Sequence, residues 1–421
     1  MRRALFAAVV MLATWQPAQG APQQWNGPLS RTQAIARATS AGFDVRMAMA
    51  DADSARALAI EQQGAVLPQV AISGNHINAH LPQFGMPEAV QTYASITASM
   101  PLFNLAGYSG VHTGRLSADA AAADLSATVN DAGLNAVKAY DRALLGAAAA
   151  QAQQVAVSDQ ETNVRFVELR VRTGKMPRYE LERARAALAQ AQQMAEDAAA
   201  ERDESSNDLK LLLDFDMASD VVITDRFETP DYNDTLTAVT QRALKQQPAV
   251  LAAQLRYDAA HAALNQARAA YVPTAALTGQ IYNGNSNPPL SPSGGQVGVS
   301  VTLPILDGGT RHGALVQASA ALAKAQADFE RQQLMVQDGV ANAWRELAAA
   351  RRNLQTGQAA LDDASESLRV ARLRQQAGKG TQLEVLDALA VAASSRLGVL
   401  QAQERYDVAI AGVHHAAADP W

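Results

Sequence analysis

Glu384 and Asp387 stand three residues apart, and in a helix that spacing puts both carboxylates on one face. Such a pair can attract cations, or keep a proton when like charge crowds it. Thr381 stands three residues before Glu384, and Thr-x-x-Glu is also the capping box that opens a helix, so a structural role competes for both residues. His76 and His80 share one face of a predicted strand, where two polar residues facing water are a simpler reading than a transit site for metal ions; the adjacent pair His414-His415 reads the same way. Gly174-Lys175 and Gly378-Lys379 lack the earlier glycine and the following Ser or Thr of a phosphate loop, and Asp307-Gly308-Gly309 reads as a turn. HExxH, G-x-S-x-G and triad-like groupings are absent, so the residues point to no enzyme, no cofactor and no resident metal.

Composition narrows the class. The formal charge is −6, and that acidity argues against nucleic acid as a partner. Cysteine is absent, which removes disulfides, thiolate metal sites and the acceptor for an N-terminal lipid anchor. Residues 1–20 read as a signal peptide: Arg2 and Arg3, then an apolar stretch, then Ala18-Gln19-Gly20 as a small-x-small cleavage site. Beyond it no apolar run of about 18 residues occurs, so a role within a membrane needs β-strands.

The elements that hold these residues occur twice. Leu67-Pro68-Gln69-Val70, Met100-Pro101-Leu102-Phe103 and Thr173-Gly174-Lys175 are followed by Val272-Pro273-Thr274-Ala275, Leu303-Pro304-Ile305-Leu306 and Ala377-Gly378-Lys379. The order and spacing predict two structural repeats, about 29–212 and 235–416, each with a helix, two strands and a very long helix. Proline is missing between Pro101 and Pro177 and between Pro304 and Pro420, which leaves room for helices over about 109–172 and 311–376. In the second of these, Val340, Leu347, Leu354, Leu361 and Leu368 recur every seven residues, each followed three residues later by Ala343, Ala350, Gly357, Ala364 and Ala371. One large and one small seam position imply a left-handed supercoil with close helix approach. Ala143, Ala150, Val157, Val164 and Val171 form a weaker version in the first copy.

Strands are expected at about 69–79, 92–103, 274–282 and 296–306, with exposed loops over 80–91 and 283–295, around Pro87 and Pro289. Their length and alternation suit a transmembrane barrel. Four strands cannot close one, so several chains must contribute. Residues 213–234 are expected to be a connector lying beside the helices.

Taken in this order, the duplicated plan, the strand exit Leu303-Pro304-Ile305-Leu306-Asp307-Gly308-Gly309 and the turn and returning helix over Gly378-Lys379-Gly380-Thr381-Gln382-Leu383-Glu384-Val385-Leu386-Asp387-Ala388 resemble the TolC family of outer-membrane efflux ducts. The resemblance covers nearly the whole chain after residue 20. It implies an α+β membrane protein: a homotrimer with four strands per chain in a twelve-stranded outer-membrane β-barrel, and a long α-helical tunnel across the periplasm. It also implies a periplasmic adaptor protein and an inner-membrane pump as partners, in a tripartite efflux or type I secretion system. Carried over residue by residue, it places Glu384 and Asp387 at the closed periplasmic aperture, with Glu180 as the first-copy counterpart, and makes Gly174 and Gly378 the helix-tip turns where an adaptor docks. One departure stands out: where relatives carry a basic locking residue two places after the glycine, this chain has Gly380, which leaves Arg178 or Arg183 as candidates for that work. The rival outside the family is a soluble periplasmic coiled-coil scaffold, which has no use for four membrane-length strands.

Overall fold

The computed structural model describes residues 24–81, 86–287 and 293–421. Each half begins with two short helices, α1 (Arg31–Ala41) and α2 (Phe43–Gly64), then α5 (Leu236–Gln246) and α6 (Pro248–Ala269). Two strands follow each pair: β2 (Gln69–Leu81) with β3 (Met86–Phe103), and β5 (Thr274–Asn287) with β6 (Gly294–Thr302). The long helices α3 (Leu105–Arg172) and α7 (Thr310–Gln376) come next, and α4 (Arg178–Leu212) and α8 (Gln382–Ala417) return from their ends. At 68 and 67 residues, α3 and α7 are each about 100 Å long.

The helix ends are set by local chemistry. Asn104 caps α3 through a bond from the Gly107 N–H, and Asp307 takes the N–H groups of Gly309 and Arg311 before α7, with Gly309 at φ +89°. Along the barrels of the helices the apolar contacts are small. An added Cβ at Gly146 of α3 would stand 3.0 Å from the Arg202 Cα of α4, so the two backbones meet at near contact. In α7 the predicted seam is the packed face: Val340, Leu347, Ala350, Ala364, Leu368 and Ala371 are all buried, and the last three lie against Val385, Ala388 and Leu389 of α8. The result is a layer of helices in which α2 and α4 pack on α3, α6 and α8 pack on α7, and α3 packs on both α6 and α8.

The four long strands form one antiparallel sheet in the order β2-β3-β5-β6. They run further than their sequence predicts. Residues 80, 81 and 86–91 belong to strand rather than loop, as do 283–287 and 294–295, because the Asn-, Ser- and Gly-rich pairs Ala94↔Asn283, Tyr93↔Gly284 and Tyr282↔Gly294 continue the ladder. At the other end β6 stops at Thr302, and Leu303-Pro304-Ile305-Leu306 lies outside the strand; Pro304 has no N–H to continue pairing. Pro289 lies outside the described residues. Pro101 sits at a register shift in β3, where a missing donor is tolerated.

A second sheet was not anticipated. β1 (Asn26–Leu29) pairs in parallel with β4 (Asp220–Ile223), so residues 213–234 are more than a strap beside the helices. Leu29 is buried there with Tyr140, Leu209, Leu213 and Phe215, and Trp25 stacks on Phe215 at 5.5 Å. The second half has a matching core of Val239, Ala243, Val340, Leu347, Tyr406 and Val413. Between these two cores Arg31 is held by carboxylates of two helices: its Nη2 donates to Asp141 of α3 and, at 3.0 Å, to Asp407 of α8. Among the described residues no helix is long and apolar enough to cross a membrane, which leaves the sheet as the element to consider.

Candidate channel wall and periplasmic mouth

The sheet separates its residues by chemistry. On one face, register places Gln69, Ser73 and Asn75 of β2 beside Ser99, Ser95 and Tyr93 of β3, continued by Thr278, Gln280 and Tyr282 of β5 and by Gln296 and Ser300 of β6. The other face carries Val70, Ile72, Ile96, Met100, Leu277, Ile281, Val297, Val299 and Val301. Ser95 on the polar face is buried, whereas Ile72 and Ile96 on the apolar face are widely exposed. One polar and one apolar face is the arrangement of a barrel wall between water and lipid. The polar face holds no charged side chain from 69 to 75, 93 to 99, 276 to 284 or 294 to 300. Among the described residues, strands β2 and β6 each lack a neighbour on their outer side.

His76 departs from its expected place. It shares the outer face with Val70 and Ile72, at the polar end of the apolar band, and its Nδ1 bonds the Thr92 hydroxyl at 2.7 Å. The side chain of His80 lies outside the described residues. His414 and His415 do not act as a pair: His414 meets Asp419 at 3.1 Å and His415 meets Asp131 at 2.6 Å.

At the far end the two helical hairpins turn in the same way. Gly174 and Gly378 have φ +68° and +73°, and the following lysine N–H reaches back to the last turn, Lys175 to Arg170 O at 2.8 Å and Lys379 to Arg374 O at 2.9 Å. This is the Schellman closure that a left-handed glycine permits. Pro177 and Thr381 then start α4 and α8. Thr381 accepts from the Glu384 N–H at 3.2 Å, but the reciprocal half of the capping box is not made; the Glu384 carboxylate lies 3.8 Å from Arg374 instead. Asp387 is exposed and lines the groove between α3, α4 and α8 with Gln153, Asp159, Gln160 and Gln190. Glu180 is half-buried in the first turn of α4, with its Oε2 unpartnered. The three acidic residues therefore lie close to the hairpin turns but not in one cluster.

Gly380 explains the missing basic residue. A Cβ there would stand 3.0 Å from both the Arg374 Cβ and the Gln375 N, so the place is filled by the last turn of α7. Arg178 and Arg183, the expected substitutes, are exposed and make no ion pair among the described residues. The contacts that join the hairpins come from elsewhere. Arg372 of α7 bonds Asp159 of α3 at 2.8 Å, and Arg170 of α3 bonds the Gln376 carbonyl at 3.0 Å. Buried between them, Gln375 donates to Gln382, which donates to Asn163 at 3.1 Å. A signal for this was present: Gln375 is the next heptad step after Leu368, and Gln160 stands three residues after Val157. The α7 seam turns polar at Gln375, and α3 sets Gln160 between Val157 and Val164, so the junction draws on directed bonds.

The family profile described as "Outer membrane efflux protein" matches residues 34–214 and 239–418. The chain belongs to that family. Its place is therefore the outer membrane, with the helices extending into the periplasm. Outer membrane protein OprJ of Pseudomonas aeruginosa is 27% identical over 235 residues, 52% of this chain and 47% of that protein, so the aligned stretch spans about half the length of the curated relative it matches. Among solved structures, CusC has a TM-score of 0.82 at 21% identity, with 96% of this chain and 97% of that one covered. The Campylobacter jejuni CmeC outer membrane channel has 0.80 at 16% (99% and 93% covered), and the Neisseria gonorrhoeae MtrE channel, in its open state, has 0.79 at 21% (92% and 88%). At these identities the structures establish the fold, a TolC-like channel subunit.

Proposed function

We propose that three copies of this chain form an outer-membrane channel through which an inner-membrane pump, linked by a periplasmic adaptor, passes its substrates to the exterior. The observation that carries this reading is the sheet: four strands, polar on one face and apolar on the other, and open at both edges among the described residues. An open edge in lipid leaves backbone groups unpaired at several kcal/mol each, so β2 of one copy must meet β6 of the next. Three copies supply twelve strands, enough for a water-filled lumen, and α3 and α7 carry that lumen about 100 Å inward. Glu384 and Asp387, repeated about the axis, are the acidic part of the inner mouth, Glu180 is a further member of it, and the turns at Gly174 and Gly378 are the docking points. Opening requires the α7–α8 hairpin to leave α3, and the contacts that must break are the Arg372–Asp159, Arg170–Gln376 and Gln382–Asn163 bonds. In this reading the protein does no chemistry; the pump supplies the energy. A soluble scaffold would leave the apolar face of the sheet unexplained. The test is the mass of the detergent-extracted protein with its conductance in a planar bilayer. A trimer that conducts supports the reading, and a stable membrane-inserted monomer, or a protein released from membranes without detergent, refutes it.

A further inference from the structure

The two turns at the mouth carry a charge opposite to that of the chain. Within ten residues either side of Lys175 there are seven basic and three acidic residues, and within ten of Lys379 four basic and two acidic. The excess is six positive charges on a chain whose formal charge is −6. Most cations further up the helices have acidic partners: Arg172 pairs with Glu168, Arg185 with Glu182, Arg369 with Glu366, Arg372 with Asp159 and Arg374 with Glu384. Lys175 and Arg178 at one turn, Lys379 at the other, and Arg183 further along α4 are exposed and pair with no carboxylate among the described residues. The uncompensated charge is thus concentrated at the extreme end of the helices.

The geometry is fixed rather than floppy. Each lysine follows a left-handed glycine and has its own N–H bound to the preceding helix, so Lys175 and Lys379 leave equivalent turns in equivalent backbone conformations. Apolar side chains stand exposed around them: Leu169, Tyr179, Leu373 and Leu383. An apolar patch bordered by unpaired cations is the anatomy of a protein interface, where charge selects the partner and apolar contact supplies affinity. The apex residues themselves include Gly, Lys and Thr, and Tyr179 is the one aromatic side chain within five residues of either lysine.

We infer that the mouth docks a protein surface that presents carboxylates to Lys175 and Lys379, so that the subunit joining this channel to its pump meets it with an acidic tip. The inference rests on the proposed channel function and names the chemistry of its partner. It also means that the acidic Glu384 and Asp387 are set back behind a basic rim.

The test uses the purified trimer in lipid nanodiscs and the periplasmic adaptor subunits of the source organism, each titrated at about 50 and about 300 mM salt, since screening weakens exposed charge pairs. Wild-type binding is expected to weaken at the higher salt. The double variant Lys175→Glu/Lys379→Glu should lose at least tenfold in affinity while remaining trimeric, and Lys175→Arg/Lys379→Arg should bind as wild type. A parallel flotation assay uses vesicles with 30% phosphatidylglycerol. Unchanged adaptor binding in the Glu variant, or binding insensitive to salt, overturns the inference. So does a Glu variant that loses only vesicle binding, which would make the basic rim a lipid contact. If no adaptor binds the wild-type trimer, the proposed function itself fails along with this inference; if adaptors bind and the lysines do not matter, only the inference fails.

Discussion

Arg31 should be the most sensitive side chain in the molecule, and its importance should depend on pH. It joins α1 to Asp141 of α3 and Asp407 of α8, and both carboxylates are almost fully buried. Burial pushes the Asp141 carboxyl up to about 7, against the pull of Arg31, and pushes Asp407 up as well. Burial also raises the neighbouring Glu404 carboxyl. Tyr140 turns away and donates to Leu29 O and to Asp225, while Glu228 faces Asp407 from the connector with its backbone N–H. One cation thus serves two buried carboxylates, and the Oδ2 of Asp141 has no partner. With a folded pKa of about 7 against an ordinary 3.8, the folded state binds more protons than the unfolded state between those values. Stability therefore falls as pH rises through that window. Three pH units at 1.36 kcal/mol each set an upper bound of about 4 kcal/mol for Asp141. Arg31→Leu leaves two carboxylates unpaired, a loss of about 3–5 kcal/mol at pH 8, and less at pH 5, where protons can replace the guanidinium. Asp141→Asn keeps an acceptor for Arg31 and removes the titrating group, so it should flatten the pH profile without large loss at pH 8. The assay is apparent melting of the trimer followed by circular dichroism from pH 5 to 8, read as differences from wild type. Equal destabilisation by Arg31→Leu at pH 5 and pH 8, or an Asp141→Asn profile parallel to wild type, would refute the reasoning.

Other expectations follow from the helical seams and the mouth. Gly357→Leu and Ala364→Leu should overpack the α7–α8 contact by roughly 1–3 kcal/mol, whereas Gly357→Ala should be tolerated because its Cβ would lie 3.7 Å from Val399; comparative unfolding against Gln358→Leu and Ser365→Leu checks this. Arg372→Ala removes a half-exposed ion pair with Asp159, so its effect on melting should be small, under about 1 kcal/mol. Its effect on single-channel opening should be much larger, and unchanged opening would show that the hairpin is not held there. Asp387→Asn should lower cation selectivity in a planar bilayer and Asp387→Arg should reverse it or block current; unaltered reversal potentials would place this carboxylate off the conduction path. Gly380→Arg should disturb the α7–α8 turn rather than create a lock, seen as reduced protection of Gln375 and Lys379 amides in hydrogen exchange.

Much of the fold was legible because the signals that make long helices are local and repeated. Pro101, Pro177 and Pro304 bound the helices, Gly174 and Gly378 end them, and the 340–371 seam reports which face is packed. The β1–β4 pair was not legible: each strand has four residues, and they are about 194 apart in sequence, so no periodicity can reveal the contact. Strand ends were underestimated because Asn, Gly and Ser signal turns in water, yet where rows of such residues pair across β3, β5 and β6 they complete the upper part of a polar wall. At the mouth, proximity in sequence was a poor guide. Glu384 and Asp387 are neighbours on α8, but their contacts differ, and the pairs that join the hairpins, Arg372 with Asp159 and Gln382 with Asn163, are each more than 200 positions apart.

The two bare edges of the sheet also bear on how the molecule is made. A single copy has no low-energy state in which its strands are embedded in lipid, since β2 and β6 would each expose a row of backbone groups. The helices face no such barrier: their hydrogen bonds are internal to each helix, and α3 with α4, or α7 with α8, can close on themselves in water. Folding and membrane entry are therefore separable in time. The helical part can form on the lone chain, while in the proposed trimer the strands must wait for two more copies, so the insertion step would depend steeply on protein concentration and offer no stable halfway product.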